Sequence, residues 1–61
     1  MTQITEKALS ALSALMHAES VMVAKCYQLA EMTEDAALKD RYLNMAGRHQ
    51  SHLDQLYSNL K

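Results

Sequence analysis

The stretch Met32-Thr33-Glu34-Asp35 decides the fold, because it is the only break that the sequence predicts between two long helical stretches. Thr33 is a residue type that caps helices, and Glu34 and Asp35 suit the first turn of a following helix, where they face the positive end of its dipole. The rest of the 61 residues contain no proline and a single glycine, and they are rich in alanine, leucine and methionine. This composition excludes a β-sandwich, a glycine-rich phosphate loop and a Rossmann unit.

The pattern on either side of the break predicts two helices of matched length. The first covers about residues 5–31 and the second about residues 35–60, with a turn at about 32–35. Because the two helices are equally long and their connection is short, they are predicted to pack as an antiparallel helical hairpin. Residues 1–61 are therefore expected to form one all-α domain.

Charge and length restrict the partners that we expect. Six Lys and Arg are dispersed among seven Asp and Glu, so no basic stripe is available for nucleic acid. No run of about 18 apolar residues is present, which predicts no association with a membrane. The N-terminal residues lack the basic start and apolar core of a signal peptide, and the one cysteine, Cys26, has no intrachain partner. We therefore expect a cytoplasmic location.

Both predicted helices are amphipathic when residues are placed at steps of about 100°. The polar stripe of the first helix is formed by Gln3, Glu6, Ser10, Ser13, His17, Gln28 and Glu31, and its apolar face by Ala8, Leu12, Leu15, Met16, Met22, Val23, Cys26 and Ala30. In the second helix, Asp40, Asn44, Gly47, Ser51, Asp54 and Ser58 are opposite Leu38, Tyr42, Met45, Leu53, Leu56 and Leu60. These faces are wider than a coiled-coil seam, so one hairpin cannot cover them. The sequence predicts a homodimer or higher homo-oligomer that forms a four-helix bundle.

Three polar residues interrupt the apolar faces at the same place. Glu19 lies at the centre of the first face, and His49 and His52 lie on the second. Glu19 is fifteen residues before Glu34 and His49 is fifteen residues after it, so an antiparallel hairpin places them at the same height. An unpaired carboxylate at a buried position would lower the free energy of unfolding by roughly several kcal/mol. The three side chains are therefore predicted either to bind one another or to bind a metal ion.

Two interpretations of this cluster remain open from the sequence. Di-metal sites of ferritin-like bundles use one Glu from each of two helices and Glu-x-x-His from each of the other two. A homodimer would supply Glu19 twice and His49-Gln50-Ser51-His52 twice, which gives two carboxylates and four imidazoles. That set is better suited to a single borderline metal ion, such as Zn or Fe, than to two divalent ions. The other interpretation is a buried Glu–His hydrogen-bond network that fixes helix pairing.

Other candidate residues carry weaker signals. His17 is expected to be solvated, and Lys25 is expected to border the apolar face. Cys26 is predicted to be a small core residue, with a disulfide to a second copy as the alternative. Gly47 indicates either a close approach of another helix or no special contact.

The segments His17-Ala-Glu19, Lys25-Cys-Tyr27 and Arg48-His-Gln-Ser-His52-Leu, together with Leu38-Lys-Asp-Arg41-Tyr42-Leu43, resemble the ferritin-like superfamily. Within it they are most similar to small spore coat F-like two-helix proteins. The resemblance implies a two-helix unit that pairs into a ferritin-like bundle, with a structural role and a location in the spore coat. The chain carries His49 where a ferritin-like metal motif has Glu, so the di-iron oxidase activity of the superfamily is not carried over.

Taken together, the sequence predicts a small, non-enzymatic, self-associating helical hairpin, with a role like that of a spore-coat protein. The alternative is a metal-binding ferritin-like bundle that uses Glu19, His49 and His52 at a dimer-core site. A third hypothesis, a module that docks the helix of another protein, requires the chain to be monomeric. No catalytic residue is predicted.

Overall fold

The computed structural model describes residues 4–60, which form two helices, α1 (Glu6–Met32) and α2 (Ala36–Ser58). The helices pack along each other as a hairpin, so the predicted all-α helical hairpin is confirmed. Gln3 of the predicted polar stripe lies outside the described residues. Within them, neither helix is long and apolar enough to cross a membrane.

Residues at both ends of α1 form hydrogen bonds with backbone N–H and C=O groups at the helix ends. At the start, the Thr5 hydroxyl accepts a hydrogen bond from the Ala8 N–H at 3.0 Å. At the end, the Thr33 N–H donates to the Leu29 carbonyl at 3.1 Å. Thr33 then leaves the helical conformation, with a ψ angle of 139°. These contacts set the length of α1.

The N-terminal cap of α2 is Asp35, whose carboxylate accepts a hydrogen bond from the Leu38 N–H at 2.9 Å. The prediction that Thr33 caps this helix, with Glu34 and Asp35 in its first turn, is therefore wrong. Thr33 instead serves the turn, because its hydroxyl accepts the Asp35 N–H at 3.3 Å. At its other end α2 finishes at Ser58, two residues before the predicted position.

The helices meet along a narrow seam. The spacing between its buried and half-buried residues alternates between four and three positions. These residues are Leu12, Met16, Glu19, Val23, Cys26 and Ala30 on α1, and Tyr42, Ala46, His49, Leu53 and Leu56 on α2. This is the heptad spacing of a two-stranded coiled coil. Other members of the predicted apolar faces, such as Leu15, Met22, Leu38 and Met45, remain exposed. One hairpin thus leaves part of its apolar surface uncovered.

Small side chains form the tightest part of the seam. Ala46, Cys26 and Ala30 are buried, and Ala46 has no exposed surface. Ala46 is not among the residues of the predicted apolar face of α2, although the heptad spacing of its neighbours indicates its buried position. Small residues let two helices approach closely, but each buries little apolar area. The core of a single hairpin is therefore small.

The shape of the hairpin reflects this small core. It measures 47 × 16 × 10 Å and has a radius of gyration of 14.5 Å, whereas a compact domain of this length has about 10.5 Å. Its accessible surface is 4995 Å², about 1,000 Å² more than a compact monomer of the same mass exposes. That excess is close to the ~800 Å² that one partner contributes to a standard protein interface.

Gly47 provides a test of the outer surface of α2. A methyl group added at Gly47 would meet no atom within 4 Å. Gly47→Ala is therefore expected to raise the free energy of unfolding by about 0.5–1 kcal/mol, because alanine loses less backbone entropy in a helix. Thermal denaturation followed by circular dichroism should show a rise of about 2–8 °C.

The matched control for Gly47→Ala is Ala24→Gly, the reverse change at an exposed position of α1. This variant is expected to lower the midpoint by a similar amount. A lower midpoint for Gly47→Ala would show that another helix approaches this surface closely.

Candidate functional site

One carboxylate and two imidazoles form a cluster at the middle of the hairpin. Glu19 is thirteen residues from each end of α1 and is 7% exposed. Its Oε1 accepts a hydrogen bond from Nδ1 of His49 at 2.5 Å, and its Oε2 pairs with Nδ1 of His52. The structure therefore brings together all three residues that the sequence selected.

The positions of these side chains follow from helix geometry and from the turn. Glu19 and His49 are equally far from Glu34 along the chain, and their contact shows that they lie at the same height. His52 is one helical turn beyond His49, so it reaches the same carboxylate from the same side of α2. The simultaneous contact of both imidazoles with Glu19 was not predicted in this detail.

The cluster opens to one side of the hairpin. The Glu19 side chain is 9% exposed, whereas those of His49 and His52 are 31% and 51% exposed. The carboxylate is thus enclosed, and the imidazoles form the boundary between it and the surface. A molecule that approached from the open side would meet the imidazoles before Glu19.

The two imidazoles favour the ionised form of Glu19. The hydrogen bond from His49 lowers the pKa of the Glu19 carboxyl, and the hydrogen bond and charge of His52 lower it further, while burial acts in the opposite direction. An ionised carboxylate only accepts hydrogen bonds, so each Nδ1 that contacts it carries the hydrogen. In a neutral imidazole this leaves the lone pair on the other ring nitrogen, Nε2.

A single chain does not provide a full set of metal ligands. Over residues 4–60, no group of three or more His, Cys, Asp or Glu side chains is arranged to hold a metal ion. In one copy, Glu19, His49 and His52 form a hydrogen-bonded network. The metal site predicted for these residues therefore depends on a second copy.

An exposed apolar surface adjoins the cluster. We call it the apolar flank; it consists of residues spaced by seven along each helix: Leu15, Met22 and Leu29 on α1, and Leu38 and Met45 on α2. All five side chains are 37–44% exposed. His52 continues the series of α2 and bonds to Glu19, so the flank lies on the side to which the cluster opens.

The opposite side of the seam is more polar. Its corresponding positions are Ser13, Ser20, Tyr27, Leu43, Gln50 and Tyr57. Three of these six residues are Ser or Gln, whereas His52 is the one polar residue among the six positions on the side of the cluster. The more apolar of the two sides is therefore the side of the cluster.

The remaining candidates lie apart from this site. Cys26 is 1% exposed and belongs to the core, as predicted. In this position its thiol could reach a second copy only after the seam had opened. His17 is exposed, as expected, and Lys25 is exposed as well.

Comparisons with known proteins add no further information about the site. No model of a known protein family, no curated protein sequence and no solved structure matches the chain. The resemblance to the ferritin-like superfamily and to spore coat F-like proteins therefore stays a prediction.

Acidification is expected to destabilise the hairpin through Glu19. Its pKa is lowered from the ordinary value of 4.5 in the folded chain, so the unfolded chain binds the proton more tightly. The stabilisation is complete above pH 4.5 and is lost as the pH falls through the lower folded pKa. Urea unfolding at a series of pH values, followed by circular dichroism, measures this loss.

Two variants separate this effect from general acid denaturation. Glu19→Gln is expected to remove the part of the pH dependence that Glu19 causes, whereas Glu31→Gln, at an exposed position of α1, is expected to retain it. Glu19→Ala is expected to lower the thermal midpoint, because it leaves two imidazoles without their acceptor. An unchanged pH dependence in Glu19→Gln would contradict the role of Glu19.

Proposed function

We propose that this chain is a non-enzymatic structural protein that self-associates, with a second copy covering the apolar flank to form a four-helix bundle. The observation that carries the proposal is the flank itself, five Leu and Met side chains on one side of the hairpin that are 37–44% exposed. Contiguous apolar patches on small proteins mark interaction sites. The role in a coat-like assembly, which the resemblance implies, is part of this proposal.

Energetic considerations support covering the flank. Full burial of one Leu or Met side chain contributes about 1.5–3 kcal/mol, so even partial burial of five such residues in each copy is substantial. A chain of about 60 residues gains little stability from its own core. In this hairpin the fully buried part of the seam consists mainly of small side chains. Association supplies the apolar burial that a single copy lacks.

The composition of the flank favours a second copy as the occupant. The five apolar residues and His52 include no Asp, Glu, Lys or Arg, so two flanks can meet without burying a like-charge pair. The register set by Glu19 and His49 places Met22 and Met45 at the same height, near the middle of the flank. Two copies can therefore bring these flexible side chains together at the centre of the interface.

Charged residues border the flank without entering it. Arg41 and Arg48 are each three or four residues from flank positions on α2, and Lys25 is similarly placed on α1. In a pair of copies, these exposed cations add a weak repulsion that salt screens. Because this repulsion is small compared with apolar burial, it modulates the association and does not prevent it.

The oligomeric state tests the proposal directly. Sedimentation equilibrium of the purified chain is expected to give at least twice the mass of one copy. Met22→Glu and Met45→Glu are each expected to weaken association by at least about tenfold, because each would bury an unpaired charge. The matched control, Val21→Glu, places the same charge on the outer surface of α1 and is expected to associate normally.

Three outcomes would overturn the proposal. A wild-type chain that stays monomeric would favour the docking of another protein's helix. Equal association of wild type and Met22→Glu, or dissociation of Val21→Glu, would place the interface elsewhere. Association that weakens with added salt would indicate an acidic surface opposite Arg41 and Arg48 and not a second flank.

A further inference from the structure

The cluster does not fit the two-metal site that the ferritin-like resemblance implies. Two copies supply two carboxylates and four imidazoles, whereas that site uses four carboxylates to neutralise two divalent ions. Two such ions here would leave roughly two positive charges without compensation in a bundle core. Both oxygens of Glu19 already contact imidazole nitrogens. The donor atoms therefore point to a different kind of site.

The symmetry of the pair determines where the two clusters would lie. This step rests on the proposed function, in which two flanks pack together. A two-fold axis parallel to the helices places each residue of one copy at the height of the same residue in the other, so in that pairing both clusters lie at the same height. His52 is itself at a flank position and is half exposed, so it faces the second copy.

The contacts with Glu19 determine which atoms are available as ligands. Each Nδ1 is directed at the carboxylate, so Nε2 is the nitrogen with a lone pair in both neutral imidazoles. An imidazole that donates Nδ1–H to a carboxylate and binds a metal through Nε2 is a recurrent arrangement in metalloproteins. One copy provides two such nitrogens, and two copies provide the four that a tetrahedral site requires.

The number of ligand nitrogens determines the number of ions. Two copies offer four Nε2 atoms, which complete the coordination of one tetrahedral ion and leave none for a second. We propose that the bundle binds one divalent ion of the Zn²⁺ class between two copies, through Nε2 of His49 and His52 from each. Glu19 acts as a positioning residue that orients the imidazoles.

Isothermal titration with ZnCl₂ tests this site in the untagged, full-length chain after treatment with a chelator. We expect one Zn²⁺ bound per two chains and a higher thermal midpoint of the loaded protein. His49→Ala and His52→Ala are expected to lose this binding. The matched control is His17→Ala, which removes an exposed imidazole on α1 and is expected to bind Zn²⁺ as the wild type does.

Glu19→Gln tests the positioning role. It is expected to keep the stoichiometry and to lower the affinity for Zn²⁺ by about 10–100-fold, as the loss of a group that orients a ligand does. With Co²⁺ as a spectroscopic probe, the wild type and Glu19→Gln are both expected to show the strong visible absorption of tetrahedral coordination. An unchanged affinity, or loss of the tetrahedral spectrum, would overturn the assignment of Glu19.

The remaining outcomes separate this inference from the proposed function. A chain that associates in the presence of chelator but binds no Zn²⁺ would overturn the metal site and leave self-association intact. One Zn²⁺ per chain would overturn the shared site. A chain that is monomeric with and without Zn²⁺ would overturn both.

Discussion

Glu19 lies in a seam whose other residues on α1 are all apolar, and its burial constrains how the two helices pack. A carboxylate in this position must have hydrogen-bond donors, and two side chains of α2 supply them. His49 and His52 meet this requirement together, one at each oxygen. Sliding one helix by a turn, about 5.4 Å, would separate these partners. The cluster therefore fixes the register of the hairpin as well as forming its candidate site.

The same arrangement explains why the cluster and the apolar flank lie together. Small residues such as Ala46 and Cys26 allow close contact along the seam, so larger side chains beside it are not covered. On the side where His52 reaches Glu19, those neighbours are Leu and Met at intervals of seven residues. An incomplete core and a half-open polar cluster thus share one surface. A second copy on that surface would cover both.

The sequence predicts the hairpin and the meeting of Glu19 with His49, since both follow from one turn and an equal count of residues on either side. It could not distinguish the seam from the flank, because Leu15 and Met16 lie on the same broad apolar face. Packing distance separates them, and that distance depends on small residues such as Ala46. The cap was also ambiguous, because Thr33 and Asp35 are both suitable residue types and the turn conformation selects between them.

The proposed metal site and the structural role are compatible for a chemical reason. Four imidazoles would occupy all four coordination positions of a tetrahedral ion. A site with four protein ligands has no open position for a substrate. Such closed sites stabilise folds, and an ion that binds only the associated state favours that state by mass action. A 61-residue chain with a single cysteine and a small core would gain stability from an element of this kind. The donor set at Glu19, His49 and His52 therefore favours a structural function over redox chemistry.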